Sequence, residues 1–99
     1  MKIKNTALSG TLESSDVQII ISNNEEGIEI DLKSQVKKQF GKQIESVILS
    51  TLSEYKIEHV FVQVVDKGAL DCVIKSRLMT AIHRSLGISN EELPWETKK

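Results

Sequence analysis

The sequence predicts an α+β fold, a two-layer sandwich in the order β-β-β-α-β-α with two helices packed on one face of a four-stranded mixed sheet. Three observations predict it. Short stretches of strand character, rich in β-branched residues or alternating with period two, recur before residue 33 and again over 59–65, as half-buried strands do. From Ser34, and again from Leu70, apolar residues recur at spacings of three and four, as amphipathic helices require. Two helices with one apolar stripe each need a common surface, and one face of a sheet supplies it.

The elements follow in order. Lys2 to Leu8 alternates weakly and is the first strand. Ser9 to Asp16 is polar, aperiodic and longer than a tight hairpin needs, so it is a loop. Val17-Gln18-Ile19-Ile20-Ile21 is the second strand. Ser22 to Gly27 holds two Asn and a Gly, residues that tolerate a reversal, and is expected to close a hairpin. Ile28, Ile30 and Leu32 share one face of the third strand, with Glu29 and Asp31 on the other.

The first helix carries Val36, Phe40, Ile44, Val47, Ile48, Thr51, Leu52 and Tyr55 on its stripe, with Ser34 as N-cap. It is expected to run about 22 residues, roughly 33 Å. If the strands at its two ends are parallel, the crossover is right-handed. In the fourth strand Val60, Val62 and Val64 share a face, and Asp66-Lys67-Gly68 turns the chain. The second helix runs from about Leu70 to Leu86 and stops at Gly87. Residues 1–87 form one domain, and 88–99 form a C-terminal tail whose end is expected to be mobile.

Composition excludes several classes. Ninety-nine residues make one domain. Thirteen basic against fourteen acidic residues leave a net charge of −1, too little positive charge for a chain that neutralises nucleic-acid phosphate. No apolar run approaches the ~20 residues that span a bilayer, and residues 1–5 lack an export signal. A lone cysteine makes no internal disulfide, so a cytoplasmic protein is expected.

Chemistry is sparse. His59, His83 and Cys72 have no metal-ligand spacing, and no phosphate-binding glycine motif is present. Cys72 and His83 lie about 20° apart in helical projection but roughly 16 Å apart along the axis, so they are not a catalytic pair. His83 reads as a solvated helix residue, and Lys75, Arg77 and Arg84 as a solvated or docking face. Phe40 and Phe61 are the aromatics expected to be buried. No catalytic residue and no metal ligand is assigned. The loop Gly10-Thr11-Leu12-Glu13-Ser14-Ser15-Asp16 remains. No adjacent histidine activates its serines, so it is no self-evident nucleophile. It suits hydroxyls bonding local backbone, or a serine that another enzyme modifies.

Four blocks carry a resemblance: Gly10-Thr11-Leu12-Glu13-Ser14-Ser15-Asp16, Gly27 to Ser34, Gln39 to Ile44, and Val64 to Ile74. In this order and spacing they resemble the acyl carrier (gamma) subunits of citrate lyase, over residues 1–86. The resemblance implies a non-catalytic carrier. Its cofactor is phosphoribosyl-dephospho-coenzyme A, attached covalently by a phosphodiester to a serine that matches Ser14. Ser15 is also a primary alcohol, and chemistry alone does not separate the two. Implied partners are the alpha chain, which exchanges acetate for citrate on the arm's thiol, the beta chain, which releases oxaloacetate, and a prosthetic-group transferase. Neither nucleic acid nor membrane is an implied partner. Glu13 and Asp16 read as recognition marks or as plain loop solvation. The carriers built as helix bundles, whose serine opens a helix, are a different fold. The competing reading is a small non-catalytic ligand-binding or regulatory α+β module, which requires a shaped apolar pocket.

Overall fold

A computed structural model describes residue 3, residues 5–34 and residues 37–86, the side chains of 37–39 excepted. β-branched and alternating segments form four strands, β1 (Ala7–Gly10), β2 (Val17–Ser22), β3 (Ile28–Ser34) and β4 (Val60–Asp66). The 3–4 spaced segments form α1 (Lys37–Glu54) and α2 (Asp71–Leu86). The sheet order is β1-β2-β4-β3. β1 and β2 are antiparallel, β2 and β4 antiparallel, and β3 and β4 parallel. The expected mixed sheet and element order are therefore observed.

Alternation places one face of each strand inward. Val17, Ile19 and Ile21 of β2, and Val60, Val62 and Val64 of β4, are essentially fully buried. They meet Ile44, Ile48 and Leu52 of α1 and Ile74, Leu78 and Ile82 of α2. Each such side chain is worth about 1.5–3 kcal/mol relative to exposure. The opposite face carries Gln18, Gln63 and Asp31, and among the described residues no helix covers it. Both stripes thus cover the same side of one sheet.

Three expectations change. Ser22 to Gly27 is not a hairpin loop, because β4 lies between β2 and β3. The connection instead spans two inter-strand spacings, about 10 Å. Short-range turn chemistry is right here, with Glu26 N bonded to Asn24 Oδ1 at 3.2 Å and Gly27 N to Asn24 O at 3.4 Å, but it does not report which strand arrives later. The first strand is Ala7–Gly10, so Ser9 and Gly10, expected in the loop, belong to it, while Ile3 is buried outside it and Lys2 and Lys4 lie outside the described residues. Ser34 ends β3 and donates its hydroxyl to Asp66 Oδ2 at 2.9 Å, and the start of α1 that it is expected to cap lies partly outside the described residues. Phe40 is 44% exposed and Phe61 half-buried, and among the described residues the buried aromatic is Tyr55. Val36, Gly87 and the tail 88–99 lie outside the described residues.

Helix α1 ends by local geometry. Lys56 takes φ 56°, Lys56 N bonds Ser53 O, and Ile57 N reaches back to Leu52 O. This is the Schellman pattern, with buried Ile57 and Leu52 as its apolar pair.

Candidate functional site

The β1–β2 connection, Thr11 to Asp16, is a structured turn. Gly10 opens it at φ 87°, and a Cβ there would lie 1.8 Å from Val17 O. No other residue fits this close approach of the two strand ends. Asp16 N bonds Glu13 O at 3.2 Å, closing a four-residue turn with Ser14 and Ser15 at its centre. Ser15 has φ 65°. A positive φ at the third turn position is the type II arrangement, which usually takes Gly or Asn.

The turn is anchored on two sides. Ser15 N donates to Lys67 O at 2.8 Å, and Lys67 N donates to Asp16 O at 2.9 Å. These bonds continue the β2–β4 ladder past Val17↔Asp66 into the turn. The second anchor is the Asp16 carboxylate. It accepts from Thr11 Oγ1 at 2.6 Å, Val17 N at 2.7 Å, Arg77 Nε at 3.1 Å and Arg77 Nη2 at 3.0 Å. Thr11 Oγ1 in turn accepts from Glu13 N at 3.2 Å. The Thr11 hydroxyl first, then the Val17 amide and Arg77, lower the Asp16 carboxyl from its usual 3.8 to about 2.

Ser14 stands at the head of this turn and is exposed. The turn's side-chain bonds run between Thr11, Asp16 and Arg77 and leave the Ser14 hydroxyl out. Ser15 is exposed as well, but its backbone N–H is committed to Lys67 and its φ is constrained. The two serines are chemically alike and conformationally different.

Asp16 is not merely solvated: it is the pin of the turn, and its side chain is only 15% exposed. Arg77, expected on a solvated or docking face, holds that pin from α2. Lys75 pairs with Glu54 at 3.3 Å, and Arg84 donates to Leu8 O at 2.7 Å on edge strand β1. The basic residues of α2 are thus tied to three different parts of the fold. His83 is half-buried, with Nε2 2.6 Å from Tyr55 Oη, so it is not simply solvated. Cys72 is exposed. Among the described residues no cluster of His, Cys, Asp or Glu is suited to a metal ion, and no helix is long and apolar enough to cross a membrane.

A groove of about 560 Å³ lies where the starts of the two helices meet, lined mainly by Phe40, Ile44, Ala69, Leu70 and Cys72. It shares the β4–α2 turn with the Ser14 loop, because Asp66 and Gly68 also line it. Asp66 Oδ1 accepts from Gly68 N at 3.2 Å and Ala69 N at 2.9 Å, which fixes that turn.

Comparison with known proteins gives this geometry a context. A family described as malonate decarboxylase delta subunit (MdcD) matches residues 4–85. The citrate lyase acyl carrier protein of Oenococcus oeni (strain ATCC BAA-331 / PSU-1) is 54% identical over 96 residues, covering 97% of this chain and 98% of that protein. The chain belongs to the citrate lyase acyl carrier protein family. The relative so named from Leuconostoc mesenteroides subsp. cremoris is 59% identical over 86 residues, covering 87% of this chain and 89% of its own. A chain of a Pseudomonas malonate decarboxylase hetero-tetramer, solved in complex with malonate, shares the fold at a TM-score of 0.68 and 16% identity, covering 85% of this chain and 87% of that one. A Cytophaga hutchinsonii homoserine kinase aligns at TM-score 0.58 and 14% identity, over 98% of this chain and 40% of the kinase. The architecture thus occurs in proteins of unrelated chemistry and does not by itself carry a function.

Proposed function

We propose that this chain is the acyl carrier subunit of a citrate lyase and that Ser14 is its attachment point. The observation that carries the reading is the exposed Ser14 at the head of an otherwise pinned turn, in a chain 54–59% identical to proteins named citrate lyase acyl carrier protein. A carrier needs one accessible alcohol, a rigid mount behind it and no competing chemistry. The residues fit a covalently attached phosphoribosyl-dephospho-coenzyme A: Ser14 Oγ supplies the ester oxygen, and among the described residues no hydrogen-bond acceptor competes for it. When bound, that group supplies a thiol, whose thioester makes an acyl carbonyl electrophilic and its α-hydrogens acidic.

The chain's own residues contribute position. The turn anchored by Lys67 and Arg77 presents Ser14 away from the core, so whatever is tethered there is held at high effective concentration for other subunits. The clamped carboxylate of the turn, Asp16, is engaged by Thr11, Val17 and Arg77 rather than by Ser14. Grafting therefore depends on a transferase that brings its own base. Citryl and acetyl exchange and the cleavage to acetate and oxaloacetate belong to alpha and beta chains in a multi-subunit cytoplasmic complex. The hetero-tetramer that contains the similar malonate decarboxylase chain is in keeping with this.

Reconstitution tests the reading. A lyase assembled with Ser14→Ala should retain the carrier in the complex and lose citrate cleavage, while the variant's urea midpoint stays that of the wild type. Full cleavage with Ser14→Ala removes the reading. The groove beside Phe40 and Leu70 favours a second one, a ligand-binding module, which requires small-molecule binding by a chain that is never modified.

A further inference from the structure

We infer that Arg77 is a positioning residue that decides which of the two adjacent serines receives the prosthetic group. This deepens the carrier reading and rests on it. Ser14 and Ser15 have the same hydroxyl chemistry, and both are exposed. Any selection between them must come from how the turn holds them. Arg77 lies 61 residues from Asp16 and grips both its carboxylate oxygens, Nε to Oδ1 at 3.1 Å and Nη2 to Oδ2 at 3.0 Å. The two-pronged grip fixes orientation as well as distance, which a lysine ammonium does not do. Asp16 is the last residue of the Glu13–Asp16 turn, so fixing its side chain fixes the plane in which the turn closes. In that plane Ser15 is held at φ 65° with its N–H on Lys67 O, and Ser14 takes the leading position.

The step that Arg77 serves is a transfer to an alcohol. The transferase supplies a base and a phosphoanhydride donor carrying the arm. Ser14 Oγ forms a bond to the donor's phosphorus as the anhydride P–O bond breaks. The phosphate leaving group departs with the electron pair, and the serine proton passes to the transferase's base. A displaced hydroxyl of about 1 Å slows such a step roughly a hundredfold, so a loosened turn changes both rate and choice of oxygen.

The full-length chain is incubated with the transferase and the donor. Total adduct is followed by intact mass, and the modified serine is located by fragmentation of the loop peptide. Arg77→Ala should be modified about tenfold or more slowly. A measurable share of its adduct should appear on Ser15, whereas the wild type is modified on Ser14 alone. Arg77→Lys, which keeps the charge and the aliphatic stem, should recover most of the rate and less of the selectivity. It also serves as the readout should the alanine variant fail to fold. A loss of global stability does not move an adduct from one serine to its neighbour, so the Ser14:Ser15 ratio separates positioning from a structural role. Wild-type rate with exclusive Ser14 modification in both variants overturns the inference and leaves the carrier reading intact. Absence of any adduct on the wild-type chain overturns both.

Discussion

Asp16 binds donors from three places in the chain, and a proton on its carboxyl removes what they bind. Because its carboxyl is lowered from 3.8 to about 2, the folded chain binds that proton more weakly than the unfolded chain does. The clamp's contribution is therefore complete above pH 3.8 and is lost as pH falls through about 2. Titration of the Asp16 side-chain carboxyl by NMR should give a midpoint near 2, and Arg77→Ala should move it upward. A midpoint at the ordinary value would mean that the clamp is absent in solution. Gly10 is a second single-residue dependence. With φ 87° and only 1.8 Å between an added Cβ and Val17 O, Gly10→Ala forces backbone to move. The expected cost is about 2–4 kcal/mol in urea unfolding. The sequence made Gly10 and the serines visible, because turn residues act on their neighbours. It did not make Arg77 visible, because a contact over 61 residues leaves no local pattern.

The β4–α2 turn is the element on which the site is built. It receives the Ser14 loop through Lys67 and closes on Asp66, which is 2% exposed and accepts from Ser34 Oγ, Gly68 N and Ala69 N. Asp66→Ala removes the buried acceptor of three part-buried hydrogen bonds and should cost about 2–4 kcal/mol. Asp66→Asn keeps an acceptor oxygen toward the two amides and should cost much less. Urea midpoints for the two variants check this, and equal losses would refute the assigned bonds. Strand and helix periods in the sequence located all six elements, since alternation in Val60–Val64 and the 3–4 spacing in Ile74–Ile82 each report a buried face. The β2–β3 connection misled because Asn24 and Gly27 form a local turn whether or not the strands they join are neighbours. Phe40 misled because the start of α1 borders an open groove rather than the sheet.

For the whole molecule, one layer of helices on one face of a sheet leaves a single core, and the loss of a central side chain is felt throughout. Leu78 is fully buried on α2, and Leu78→Ala should cost about 2–5 kcal/mol in urea unfolding without changing the exposure of Ser14. A loss below about 1 kcal/mol would contradict the packing described, since even an Ile→Val trim in a core costs about that. That core is a mount: it supports the Lys67 and Arg77 anchors that hold the Ser14 turn. The central claim is that this fold exists to hold one modified serine. The intact mass of the chain, isolated from a host that cleaves citrate, tests it most directly. The account predicts a covalent adduct of coenzyme-A size that is absent from Ser14→Ala, whereas an unmodified wild-type chain from such a host would contradict it.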